Sequence, residues 1–514
     1  MKIYRKYIFI VSSIIAILVL VYIFKSPAKP KIEVLYTSQN LPAILPDYTN
    51  TVIPPNIAPL NFAVKENGDK FYIKIYSVKG DTIRLLTKEN SIVIPIKKWK
   101  RLLRQNTGNE LYFDVYIEET RGQWKRFRTI TNLIANEEID SYLVYRLINP
   151  GYILWEKMGI YKRNIQNYDE SPVLVNNLAE KNCMNCHSFN RNNPDNMMFH
   201  IRGSMGGTIL FKDGIIRKIN TGTRYTMSAG VYPAWHPSGK LLAFSVNIIN
   251  QKFYSYGHES IEVFDRASDL ILYDIDANMV TTSPKVSTIH KETTPVWSPD
   301  GKYLYFTRAH KPENKQIHDS IKYDLMRIGY DIESRQWGDV DTVLAASETG
   351  LSITWPRISP DGRYLLFCMA NHGYFTIHYP SSDLYLMDLE TGEYNHLDIN
   401  SGQVESFHSW SRNGRWFVFA SKRLNDLCTR PFFCYFDSNG KTYKPFVLPQ
   451  KDPGFYNTFL KNYNVPEMVA DRINVNKWEL SKVVQGKAIN AEFDQSVDID
   501  ALSGATRIQG GQHP

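Results

Sequence analysis

The chain has 514 residues, of which 43% are hydrophobic and 13% aromatic, and its formal net charge is +8. Charged residues make up 22%, which excludes a disordered composition and leaves apolar mass for two or three packed domains. Basic residues are spread along the chain. The one local run, Lys97-Lys98-Trp99-Lys100-Arg101 with Arg104, reads as a solvated strand edge or loop. No nucleic-acid partner is therefore expected; a mildly basic surface suits an anionic redox partner or lipid headgroups.

Residues 1–25 read as a transmembrane signal-anchor. Lys2, Arg5 and Lys6 precede an apolar run from Tyr7 to Phe24, broken only by Ser12 and Ser13 and closed by Lys25. At roughly 1.5 Å rise per residue the run nearly crosses a bilayer's hydrocarbon core. The leading positive charges place the N-terminus in the cytoplasm and export the rest, with no A-x-A cleavage signal to release it. The expected location is the inner membrane, single-pass and periplasm-facing. Residues 26–57, rich in proline, read as a linker.

Residues 58–147 carry alternating β-branched and aromatic runs such as Phe71-Tyr72-Ile73-Lys74-Ile75-Tyr76 and Leu111-Tyr112-Phe113-Asp114-Val115. Turn signals such as Asn67-Gly68-Asp69 separate them, which predicts an antiparallel, Ig-like β-sandwich. Residues 148–182 read as a connector, with partly helical patterns at Ile139–Ile148 and Leu174–Lys181.

The connector leads into Cys183-Met184-Asn185-Cys186-His187, the C-x-x-C-H spacing of a c-type haem site. Two thiols three positions apart reach the two vinyl groups of one porphyrin, and the next imidazole reaches the iron. A thioredoxin-like pair or half a zinc site shares the C-x-x-C spacing, but a second ligand pair and a βαβ context are missing from the sequence. His187 is the expected proximal ligand. His200 or Met198, on one face of the following strand, is the expected distal one.

From residue 183 to 452 a unit repeats. Trp235-His236-Pro237-Ser238-Gly239-Lys240, Trp297-Ser298-Pro299-Asp300-Gly301-Lys302, Ile358-Ser359-Pro360-Asp361-Gly362-Arg363 and Trp410-Ser411-Arg412-Asn413-Gly414-Arg415 each precede an apolar strand. Their glycines recur 62, 61 and 52 residues apart. Proline presets φ and glycine takes the positive φ that ends each turn. A third and fourth strand follow in each unit, which makes a propeller blade. Asn193-Pro194-Asp195-Asn196 followed by Met197 to His200 fits the same pattern, so C-x-x-C-H falls in a first blade. Five units are recognisable, with a sixth expected from the segment after Pro453 or from the N-terminal part.

These units resemble the TolB-type β-propeller repeat, and together with C-x-x-C-H the chain is similar to membrane-anchored c-type cytochromes with TolB-like propellers of Bacteroidota. The resemblance implies an all-β fold: anchor, sandwich and a five- or six-bladed propeller bearing one haem c. It also implies electron transfer with a periplasmic redox or protein partner. A propeller-based binding scaffold and a haem enzyme acting on a small oxidant are the rival readings. Long loops carrying Tyr254, Tyr256, His258, His310, His318, His372, Tyr374, His378 and Tyr379 share one face with the interblade connections and suit a cover near the haem.

In the extension 453–514, Asp500-Ala501-Leu502-Ser503-Gly504-Ala505-Thr506 resembles the D-x-x-S-G-A-T motif of FMN-binding domains in Rnf-type redox pumps. The resemblance implies FMN on Thr506, although the domain that normally precedes the motif is not recognisable. Of the remaining cysteines, Cys428 and Cys434 are candidates for a disulfide, and Cys368 reads as a buried free thiol.

Overall fold

Each inner strand of the repeat region is buried on both sides, so its sequence alternates weakly and its partners are fixed by backbone pairing. The structure is a computed structural model that describes residues 32–120, 122–150, 157–254, 261–310 and 320–503. The expected anchor at Tyr7–Phe24, Tyr256, His258, His318 and the FMN candidate Thr506 lie outside the described residues. Among the described residues no helix is long and apolar enough to cross a membrane.

Six four-stranded antiparallel sheets form a β-propeller. Blade 1 runs through Met184–Phe189, Asn196–Ile201, Gly207–Lys212 and Ile215–Asn220. Blades 2 to 5 begin with inner strands Val231–Trp235, Lys291–Trp297, Ser352–Ile358 and Glu405–Trp410. Blade 6 is shared between distant parts of the chain. Asn462–Val469 is its inner strand, pairing antiparallel with Tyr142–Ile148, which continues to Gly159–Asn164 and Glu170–Val175. Hydrogen-bonding the last propeller strand to the first ones closes the ring without a free inner edge.

The repeat turns form as their chemistry dictates. In blade 3 the Ser298 hydroxyl donates to Asp300 Oδ1 (2.5 Å) and accepts from the Tyr303 amide (3.0 Å). Blade 4 repeats this with Ser359, Asp361 and Tyr364. Gly301 and Gly362 hold φ of +77° and +82° to end the turns.

Ahead of the propeller, a seven-stranded sheet centred on Glu110–Thr120 faces a small sheet of Ile44–Leu45, Phe62–Val64 and Ser91–Ile92. The large sheet is mixed, with Val34–Thr37 and Val52–Ile53 paired parallel to their neighbours, where an antiparallel pattern was expected. The core of the two sheets is continuous with that of blades 4 to 6, and Asn61 Nδ2 donates to Lys451 O at 2.9 Å.

Several expectations are corrected. Ile139–Ile148 is not helical, since Tyr142–Ile148 is a strand, whereas Leu174–Lys181 is partly helical, with a 3-10 turn at Asn176–Ala179 after the strand Glu170–Val175. A short apolar run buried on both faces gives no periodicity that separates strand from helix. So the expected 148–182 connector supplies the two outer strands of blade 6, Gly159–Asn164 and Glu170–Val175, and the propeller extends beyond 183–452 at both ends. Part of the 26–57 linker is folded too: Val52–Ile53 is buried and pairs with Ile130–Ile134. The basic run is the helix Ile96–Arg104, in which Trp99, Leu102 and Leu103 share a buried face at i, i+3, i+4 spacing while Lys97, Lys98 and Arg101 face solvent. Cys428 and Cys434 are free thiols, bonded separately to Leu460 O and Tyr443 O. The segment from 428 leads into the strand Arg430–Tyr435, and six extended residues span roughly 20 Å, beyond disulfide reach. Cys368 is a buried free thiol, as expected.

The end of the chain straps the propeller's rim. Helix Lys477–Gln485 is capped by Asn476, and Ile489–Asn490 and Glu492–Phe493 then pair parallel with the outer strands of blades 1 and 2.

Candidate functional site

All six inner strands carry one non-glycine residue at positive φ: Cys186, Tyr232, Thr294, Trp355, Phe407 and Val465, between +46° and +55°. Each coincides with a register shift in its strand pair. Such a bulge re-aims one side chain at a cost of about 1–3 kcal/mol, and it persists only where packing over-determines it. Here all six bulged residues line one cavity of about 410 Å³ at the centre of the ring. The second cysteine of C-x-x-C-H therefore occupies the repeat's own bulge.

Cys183, Cys186 and His187 all line this cavity. Both cysteines are free and half-buried, and burial pushes the Cys186 thiol up from its ordinary value. His187 is 2% exposed, and neither ring nitrogen has a hydrogen-bond partner of good geometry. Burial, then the nearby Arg146 charge, pull its pKa down to about 4; the Val144 and Val465 carbonyls oppose this weakly from blade 6. With its pKa this low the ring is neutral at pH 7, and its nitrogens face the backbone of blade 6.

Arg146, Arg202 and Arg357 add positive charge to the lining, and Tyr232, Trp355, Phe375 and Phe407 supply aromatic walls. Arg146 Nη1 donates to Met184 O (3.1 Å), while its Nε is buried without a partner. At the waist, Ser188, Pro233, Arg357 and Glu467 also line a second cavity of about 440 Å³ on the side of the repeat turns. Burial pushes Glu467 up to about 7 against the Arg357 charge.

The two distal candidates lie elsewhere. Met198 is fully buried in the core between blades 1 and 2. His200 is 5% exposed, its Nδ1 3.1 Å from the Thr208 hydroxyl. Neither lines the cavity. Met198 packs on blade 2, and His200 bonds within blade 1. Of the loop residues expected to form a cover, His378 lines the cavity beside Phe375 and Ile377, while Ile249, Gln251, Ile261 and Val263 reach it from two long strands of blade 2. His378 is held far below its ordinary value, at about 3, by burial and the Lys422 charge. Of the other loop residues, His310 sits on Asp324 (3.0 Å), and His372 stacks on Tyr379 and lies 3.5 Å from Glu262.

Sequence reasoning missed the arginines, Glu467 and Tyr232. One signal was present: the bulged residue precedes proline in Tyr232-Pro233, Thr294-Pro295, Trp355-Pro356 and Val465-Pro466 and precedes histidine in Phe407-His408 and Cys186-His187. Aligning these pairs would have placed the cavity ring. Among the described residues no cluster of three or more His, Cys, Asp or Glu side chains is arranged to hold a bare metal ion.

Together the fold and the site define a six-bladed β-propeller with a cysteine- and histidine-bearing central cavity. No protein family matches the chain, and no curated protein does. Solved structures similar to parts of it include a chain of a nidogen/laminin complex, at 9% identity and TM-score 0.36, over 64% of this chain and 100% of that one. A Bacteroides uniformis protein described as a 6-phosphogluconolactonase has 11% identity and TM-score 0.33, over 78% and 98%. A β-propeller domain from Myceliophteria thermophila has 13% identity and TM-score 0.31, over 51% and 69%. Likenesses this low carry no argument of their own; the propeller rests on the six sheets of this chain.

Proposed function

We propose that the chain is a c-type cytochrome in which Cys183 and Cys186 hold one haem covalently in the propeller's central cavity. The observation that carries this reading is the placement of Cys183, Cys186 and His187 together on the cavity wall, with His187 neutral and its ring nitrogens unbonded. The residues fit the group. The neutral His187 imidazole would bind iron on turning from the blade 6 carbonyls, the three arginines would balance carboxylates, and the aromatic side chains present apolar faces to a flat ring. When bound, haem supplies a one-electron iron couple.

In this reading the protein acts as an electron carrier anchored by Tyr7–Phe24, with its propeller on the periplasmic side and a periplasmic redox partner. Covalent haem attachment agrees with an exported domain. His378, on the cavity wall, replaces His200 and Met198 as the distal candidate. The first test is a reduced pyridine haemochrome spectrum of the chain made with c-type haem maturation. One covalent haem per chain is the expected result, and none would sink the reading.

A second reading, a haem enzyme acting on a small oxidant, is favoured by one observation: the sequence-expected distal ligands lie outside the cavity, while Arg146, Arg202 and His378 line it. Rapid carbon monoxide binding by the reduced protein would support that reading; a spectrum with two strong axial ligands would support the electron carrier.

A further inference from the structure

A buried polar chain that starts at the cavity joins blade 2 to the blade 4 loop. Tyr232 lines the cavity, and its hydroxyl lies 3.4 Å from the Tyr374 hydroxyl. Tyr374 is fully buried and donates to Asp265 Oδ1 at 2.9 Å. Asp265, 1% exposed, accepts a second bond at Oδ2 from Asn247 Nδ2 (2.9 Å). The Lys291 ammonium donates to the backbone oxygen of Asp265 (2.8 Å). A buried carboxyl is costly unless its oxygens are hydrogen-bonded, and here Tyr374 and Asn247 bond one oxygen each.

We infer that electron gain in the cavity is coupled to proton uptake by Asp265, with the Tyr232 and Tyr374 hydroxyls carrying the proton. The inference rests on the haem reading. One electron comes from a one-electron reductant, and one proton comes from hydronium or a buffer acid of the solvent, whose O–H or N–H bond breaks as cavity water relays the proton to Tyr232. Each tyrosyl hydroxyl takes one proton and releases one, ending unchanged, and the single new bond is O–H on the Asp265 carboxyl.

The electrostatics agree. Burial pushes Asp265 up to about 7, against hydrogen bonds from Asn247 and Tyr374 and the Lys291 charge. The other titratable groups around the chain are Tyr323, beside Tyr374 and Asp265, and Cys186 and Arg202 at the Tyr232 end. Glu292, near Tyr323, is paired with Arg308 at 3.0 Å. An added negative charge in the cavity raises the Asp265 pKa further. The oxidised protein thus loses this proton at lower pH than the reduced one, and the midpoint potential falls as pH rises above about 7.

The test uses the full haem-loaded chain, first checked by pyridine haemochrome, in potentiometric titrations across the neutral range. The wild type should show a slope approaching about 59 mV per pH unit, the tenfold equivalent for one electron. Asp265→Asn should be flat. Tyr374→Phe, which keeps the ring but removes a bond that favours the carboxylate, should move the onset to higher pH. Redox-difference infrared spectra of the wild type should show a carboxylic-acid C=O band appearing on reduction, which needs no variant to fold. A flat wild-type potential, a slope that survives Asp265→Asn, or one abolished by Glu467→Gln instead would overturn the coupling while leaving the haem. Absence of covalent haem in the first assay would overturn both.

Discussion

His187 of blade 1 and His408 of blade 5 each follow the bulged residue of their inner strand, Cys186 and Phe407. Both rings are buried and both point toward the preceding blade. His408 Nε2 bonds Leu366 O at 2.8 Å, and its Nδ1 meets the Cys368 thiol at 3.7 Å. His187 faces the corresponding carbonyl, Val144 O, without making a good bond. The same position therefore serves as an interblade clasp in one blade and leaves an imidazole uncommitted in the other. What separates them is the neighbourhood: two free cysteines on the cavity wall beside His187, one buried thiol inside the sheet beside His408.

Four experiments sharpen or break that contrast. The largest effect is expected from Cys183→Ala/Cys186→Ala, which should abolish covalent haem, whereas Cys368→Ala should leave the haem-to-protein ratio unchanged. Equal loss in both would erase the distinction. Next, His408→Ala should cost about 1–3 kcal/mol in chemical denaturation, because it leaves a buried carbonyl without its donor. In the haem-free chain His187→Ala should cost less, and in the loaded chain it should alter the haem absorbance.

Acidification gives a third comparison. His408 sits at about 3 and His187 at about 4, each lowered first by burial and then by an arginine charge. Unfolded, both return to about 6.5. Between these values the unfolded chain binds the extra protons, so this contribution to stability is full above about pH 6.5 and is lost as pH falls through 4 toward 3. His408→Gln should therefore lose less stability than wild type between about pH 7 and about pH 5. An unchanged difference would place the acid sensitivity elsewhere.

The smallest effects concern the repeat turns. Gly362→Ala, with φ +82° and open space around a new Cβ, should cost about 1–2 kcal/mol in thermal unfolding. Gly301→Ala should cost more, since its Cβ would lie 2.5 Å from His236 Nε2, which bonds the Gly301 carbonyl at 3.1 Å. Equal costs would mean that the His236 contact contributes nothing.

Legibility followed range. Pro-Asp-Gly turns and C-x-x-C-H are local, so a few adjacent residues carry them, and the blades and the candidate cysteines could be read directly. Met198 and His200 lie off the cavity because strand alternation shows which residues share a face but not what that face meets; Met198 packs against blade 2 and His200 against Thr208 of its own blade. The helix at Trp99 was hidden by its lysines, whose charge read as exposure although the spacing of Trp99, Leu102 and Leu103 was helical.

The sequence by itself determined the repeated blade, its turns and the trio Cys183, Cys186 and His187, because each depends on contacts within a few residues. Only the tertiary structure decided that blade 6 joins Tyr142–Ile148 to Asn462–Val469, that six bulges converge on one cavity, and that Tyr232, Tyr374 and Asp265 connect behind it. Those contacts join residues over a hundred positions apart, and the closing of the ring, which no local pattern records, brings them together.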